Sequence, residues 1–130
     1  ADAARRRADV APDGKPSLTE YGVVEHVAGH TLLECRPRTG RLHQIRVHLA
    51  AIGHPLAVDP LYGGARAILL SEYKRDYRSS GRRPERPLID RLTLHALRLT
   101  FDHPDGRGAV TFEAPPPRDF RAALNQLRRA

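Results

Sequence analysis

His43, Gln44 and Arg46 follow one another closely, directly after Arg41 and the Thr39-Gly40 pair. These side chains could do chemistry together. Guanidinium and imidazole groups offered from one rigid platform suit a phosphate-bearing polymer or a buried carboxylate, because the planar arginine fork matches two oxygens at once. A turn at Thr39-Gly40 leading into a helix would also present backbone N–H groups to an anion.

The platform is legible from periodicity. Leu42, Ile45, Leu49 and Ile52 recur at spacings of 3, 4 and 3, which predicts one apolar face of a short helix. Gly53 suits its C-terminal stop and Pro55 forbids continuation. With that stripe held against a core, His43 and Arg46 are expected on a neighbouring face, projecting outward. Ala50 continues that face with almost no side chain, which leaves room for something bulky.

Residues 1–16 have no periodicity and read as a flexible lead-in. From Ser17, Thr19, Tyr21, Val23 and Val27 alternate with more polar neighbours, with Glu25 interrupting. Ala28-Gly29-His30 predicts a turn, and Thr31–Cys35 a return strand. Residues 54–64 are a loop rich in Pro and Gly, in which Asp59 and Tyr62 are expected to organise the backbone through hydrogen bonds. Ala65–Tyr73 could form a short helix. Residues 74–91 carry arginine or lysine at 74, 75, 78, 82, 83, 86 and 91 and read as a polar insertion. Leu94–Phe101 reads as a strand returning through His103-Pro104-Asp105-Gly106 to Val110-Thr111-Phe112. Pro115–Pro117 open a last helix with Phe120, Leu124 and Leu127 as its stripe and Arg128 and Arg129 at its C-terminal end.

The 130 residues fit one domain or part of one, with a formal charge of +7 and a pI near 10.5. That balance favours a polyanionic partner, nucleic acid being the commonest. Of the 22 basic residues only Lys15 and Lys74 are lysines. Cys35 stands alone, so no internal disulfide forms and a reducing compartment, the cytoplasm by default, fits best. No apolar run approaches the roughly 20 residues that span a bilayer. The histidines at 43 and 48 would lie about 140° apart on a helix, unlike a zinc-binding pair one turn apart, and with no second cysteine a metal site is not expected. Cys35 lacks a positioned base and reads as a buried thiol, and His95 as a hydrogen-bonded histidine at a core or cleft edge.

Four stretches in order resemble the RluA-type family of RNA pseudouridine synthases: Gly14-Lys15-Pro16-Ser17-Leu18-Thr19-Glu20-Tyr21; Leu33 through Gly53, with its Thr-Gly-Arg-x-His-Gln-Ile-Arg-x-His-Leu core; His54-Pro55 through Asp59-Pro60-Leu61-Tyr62-Gly63; and Leu94-His95-Ala96 with the strand and hairpin that follow. The resemblance implies an α+β fold, a mixed, largely antiparallel sheet flanked by helices, and isomerisation of uridine to pseudouridine in ribosomal or transfer RNA without metal or cofactor. It implies a target base turned out of its stack into a pocket. An aspartate attacks the bound nucleoside, the glycosidic bond breaks, the base turns, and carbon 5 is rejoined to the sugar.

Residue by residue, the resemblance makes Arg46 the partner of the catalytic aspartate. Arg41, His43, Gln44, Thr39 and Gly40 are placed at the RNA or at the helix entry, and Ile45 against the base. Gln44 could read a base edge, but capping of the turn is the favoured reading. The family's His-Arg-Leu-Asp…Thr-Ser-Gly stretch, which carries that aspartate, does not occur in these residues, and Val58 stands where the family usually has glycine. Residues 17–130 are therefore expected to be the C-terminal half of a catalytic domain, inactive alone. Arg46 would then face solvent or a bare cleft, and a partner, a second copy or the remaining half would cover an exposed sheet edge. The alternative is a non-catalytic RNA-binding module.

Overall fold

The structure, a computed structural model, describes residues 5–9, 15–63, 65–78, 84–102, 104–106 and 108–130. Gly14 of the first matched stretch, Arg82 and Arg83 of the expected insertion, and His103 of the expected turn lie outside them.

Three antiparallel strands come first, in the order β1 (Arg5–Asp9), β2 (Leu18–Val27), β3 (His30–Pro37). The β2–β3 hairpin closes on Ala28 and Gly29, both with positive φ (47° and 74°), the mirror-image turn whose twist matches that of paired strands. Glu25, which breaks the alternation in sequence, marks a real irregularity: the register shifts between Val23 and Glu25. Residues 5–9, expected within a structureless lead-in, instead pair as β1 with the first half of β2.

Helix α1 (Gln44–Ala51) follows β3. A second antiparallel pair, β4 (Arg98–Asp102) and β5 (Ala109–Glu113), precedes helix α2 (Arg118–Arg129). The strand expected over 94–101 begins only at Arg98, and of the helix expected over 65–73 only a single 3-10 turn forms, Leu70–Glu72. The result is an α+β domain whose named strands pair antiparallel.

The core gathers Val27 from the end of β2, Val58 and Ile68 from the loops after α1, Ile89, and Ala123 and Leu127 of α2, with Phe120 and Leu124 half-buried beside them. The α2 stripe therefore packs as its periodicity predicts. Arg128 pairs with Glu25 through two hydrogen bonds of 2.8 and 2.7 Å, fastening the end of α2 to the β2 irregularity. Ile89 is 4% exposed and bridges to Ile68, with Leu88 packed alongside. The stretch 74–91 is thus not polar to its end: its last residues return to the core.

Candidate nucleic-acid interface

Helix α1 is held by one apolar residue and two polar ones. Of the predicted stripe Leu49 is buried at 3% exposure and Ile45 half-buried, while Leu42 is 83% exposed and Ile52 43%; the other buried residues of the helix are Gln44 and His48. His48 Nδ1 lies 2.7 Å from Thr19 Oγ1 and its Nε2 3.0 Å from Ser17 Oγ, so the imidazole joins α1 to β2. Gln44 does the same work from the other end of the helix. Its Nε2 donates to the Leu18 carbonyl and to Thr19 Oγ1, both at 2.8 Å, while its Oε1 accepts from Arg41 N–H and from Thr39 Oγ1. Leu18 N–H in turn donates to Thr39 Oγ1 at 3.1 Å. Four hydrogen bonds on one amide leave it no capacity for a base edge, and Gln44 is a capping and tethering residue.

The helix entry is unusual. His43, which precedes α1, sits in the left-handed region (φ 49°, ψ 31°), sparsely populated for residues with a Cβ. Its Nδ1 meets the Tyr62 hydroxyl at 2.8 Å, with the rings edge-on at a 5.6 Å centroid separation. The exit is regular: Gly53 has φ 84°, and the Gly53 and His54 N–H groups return to the Ala50 and Leu49 carbonyls, the Schellman pattern.

Arg46 does not face solvent. Its Nε and Nη2 donate to the two oxygens of Asp59 at 3.0 and 2.7 Å, a two-pronged pair with the guanidinium side chain 15% exposed and the carboxylate 0%. The Cζ of the same guanidinium lies over the Tyr62 ring, 4.9 Å from its centroid, a cation–π contact. Asp59 Oδ1 also accepts the N–H groups of Leu61 and Tyr62, at 3.1 and 3.2 Å, so it shapes the loop as expected. The hydrogen bonds from Arg46, aided by those two N–H groups, hold the Asp59 carboxyl below the usual range against the opposing pull of burial. Val58, beside it, is buried in the core and is bonded through its N–H and C=O to the Thr93 hydroxyl and N–H. A side chain is needed here for packing.

Thr39, Gly40, Arg41, His43, Gln44, Ile45 and Arg46 line one open cavity of about 370 Å³. All seven residues singled out in the sequence meet there. The opposite wall comes from Pro37, Leu92 and Leu94, which sequence reasoning did not place in the site. Periodicity gave no signal for Leu92 and Leu94, since residues 92–94 form no regular element. The exposed lining of the cavity is mostly apolar, with Arg41, His43 and Arg46 as its basic members, the usual character of a small-ligand pocket.

Cys35 is half-buried, and burial followed by the Glu34 charge pushes its thiol up to about 11, which suits no nucleophile. His95 Nε2 donates to the Ala114 carbonyl at 2.7 Å, linking the approach to β4 with the end of β5. Among the described residues, no three His, Cys, Asp or Glu side chains group as a metal site would need, and no helix is long and apolar enough to cross a membrane.

The antiparallel α+β frame, with one cavity beside helix α1, defines the class of fold, and comparison with known proteins narrows it. A family profile described as RNA pseudouridylate synthase matches residues 1–51. Ribosomal large subunit pseudouridine synthase D of Neisseria meningitidis serogroup B is 43% identical over 115 residues, covering 88% of this chain and 29% of that protein. The synthase D of Vibrio parahaemolyticus is 42% identical over 120 residues, 92% of this chain and 35% of the relative. Ribosomal large subunit pseudouridine synthase C of Escherichia coli K12 is 40% identical over 121 residues, 93% and 34%. The chain belongs to the RluA-type family of RNA pseudouridine synthases, and it spans about a third of the length of the curated relatives it matches.

Proposed function

We propose that this chain is the part of a pseudouridine synthase that forms the basic wall of the RNA cleft, and that the whole enzyme isomerises uridine in ribosomal RNA. The observation that carries the reading is the convergence of Thr39, Gly40, Arg41, His43, Gln44, Ile45 and Arg46 on one cavity. In this reading Arg41 and the Thr39-Gly40 turn meet the RNA backbone. Ile45, Leu92 and Leu94 form the apolar surface against which a turned-out base rests, and Arg46 faces the nucleophilic aspartate. That aspartate comes from sequence outside these residues, so the chain alone turns over no uridine.

Nucleophilic attack by a carboxylate at the nucleoside needs the carboxylate ionised, and an opposing guanidinium a few ångströms away keeps it so. Arg46 already stands at the cavity wall with its charge fixed, so nothing need reorganise when the base enters.

The test is tritium release from ribosomal RNA labelled at carbon 5 of uridine, run with the complete gene product. Release is expected from the wild type. Arg46→Lys, which keeps a charge but not the planar fork, should lower it by at least about a hundredfold, the scale on which preorganised electrostatic contacts act. No release from wild type, or release by the variant within a few-fold of it, would overturn the proposal. The 130-residue chain should bind the same RNA with an affinity that falls as salt rises. A gene product that binds RNA in this way yet releases no tritium would be the non-catalytic module instead.

A further inference from the structure

The Arg46 guanidinium stands between two places. One is the cavity, whose wall it helps to form; the other is Asp59, which contributes nothing to that wall and is wholly buried. Asp59 takes Nε and Nη2 and leaves the Nη1 edge unengaged by this carboxylate. The guanidinium carbon lies over the Tyr62 ring, and the Asp59 loop that carries that ring is itself pinned by the Leu61 and Tyr62 N–H groups. A guanidinium gripped along one edge and set against a ring keeps little rotational freedom.

We infer that Asp59 is a positioning residue, an anchor that grips Arg46 from behind so that its free edge is presented at the cavity to a second oxyanion. The inference rests on the reading of Arg46 as a cleft group given above. It adds that the arginine serves two anions at once, one permanent and one that arrives with the reaction. Two chemistries could supply the second, a nucleophilic carboxylate or an RNA phosphate; both offer the paired oxygens that the remaining N–H groups match.

The sign of one substitution separates anchoring from mere charge balance. Asp59→Asn removes a negative charge beside Arg46, so on electrostatics alone an anion in the cavity should bind as well or better. If Asp59 positions the guanidinium, the same substitution should bind it worse, because a single amide oxygen cannot hold both N–H groups.

Inorganic phosphate and acetate, titrated separately into the 130-residue chain and followed on its nitrogen-15-labelled arginine side chains, provide the test. The Arg46 signal is the one lost in Arg46→Lys. Saturable shifts of that signal are expected in wild type, with affinity weakened about tenfold in Asp59→Asn, a loss of one decade in Kd. Preference for acetate assigns the edge to a carboxylate and preference for phosphate to the RNA backbone. Unchanged or tighter anion binding by Asp59→Asn, or no response of Arg46 in wild type, overturns the inference.

Should Asp59→Asn not fold, Arg46→Lys takes its place, since it leaves Asp59 a cationic partner; its anion affinity and that of wild type are then read by titration calorimetry, because the variant has no Arg46 signal. Weakening by a similar factor supports the presented edge, and wild-type affinity refutes it. None of these readings needs turnover. A gene product that releases no tritium while Arg46 titrates as described would sink the proposed function and leave the anchor standing.

Discussion

His48 and Thr19, twenty-nine residues apart, meet through Nδ1 and Oγ1 at 2.7 Å with both side chains almost wholly buried. Helix α1 is therefore bolted to β2 by a polar contact at the point where an apolar one would be expected. Its second bolt, Gln44, ends on the same threonine. Thr19 is thus the joint at which the platform carrying Arg46 and His43 is aligned with the sheet.

Thr19→Val should show what that joint contributes. The substitution keeps the shape and takes a hydrogen-bond partner from buried polar atoms of His48 and Gln44, at a cost of about 1–3 kcal/mol for each left without one. A urea melt should register the loss, and the RNA affinity proposed for the cavity should fall even where the variant remains folded. Stability equal to wild type would mean that neither contact bears on the fold.

Acid should weaken the Arg46–Asp59 pair and the stability it contributes. The Asp59 carboxyl is held below its ordinary value, chiefly by the hydrogen bonds from Arg46. The folded state therefore binds that proton less readily than the unfolded chain, where the value is about 3.9. Its contribution is fully present above that unfolded value and is lost as pH falls through the folded one. Denaturant midpoints measured from pH 7 down to pH 3 should decline at the acid end, and Asp59→Asn should flatten that decline while lowering stability at neutral pH. An equally steep acid decline in the variant would place the linkage elsewhere.

Ile89 tests where the arginine-rich stretch ends. Ile89→Ala should cost about 2–5 kcal/mol, as removal of a well-packed isoleucine does. Charge-removing changes at Arg75 or Arg78, both on the described part of the same stretch, should leave the melting temperature within error. A tolerant Ile89 would contradict its place among Val27, Val58, Ile68, Ala123 and Leu127.

Cys35 should resist alkylation. With its thiol pushed up to about 11, only about one molecule in a thousand carries the thiolate at pH 8. Iodoacetamide should label the native chain roughly a hundredfold more slowly than the urea-unfolded chain, where an ordinary thiol titrates near 8.5. Comparable rates would show that the strand edge opens.

The hairpin, its turn at Ala28-Gly29 and the β2 irregularity at Glu25 were legible because local backbone chemistry decides each of them. The α2 stripe was legible because α2 packs by apolar burial. Helix α1 misled for the same reason in reverse. Its apolar periodicity is genuine in the sequence, yet Gln44 and His48 seat the helix through hydrogen bonds while Leu42 lies open. Membership of the cavity could be read from the Thr39–Arg46 run, whereas Leu92 and Leu94 reach it through a stretch with no period of its own. The Arg46–Asp59 pair joins a helix to a loop thirteen residues on, and an arginine in sequence gives no sign of which carboxylate it will grip.

The left-handed backbone at His43 has one more implication. Glycine would occupy that conformation at lower cost, since its missing Cβ removes the crowding. A chain that keeps an imidazole there sacrifices some ease of helix initiation to hold a ring against the Tyr62 hydroxyl. Replacing His43 with glycine should accordingly ease the bend into the helix while freeing the Tyr62 ring that lies against Arg46, setting foldability against the order of the cavity wall at a single position.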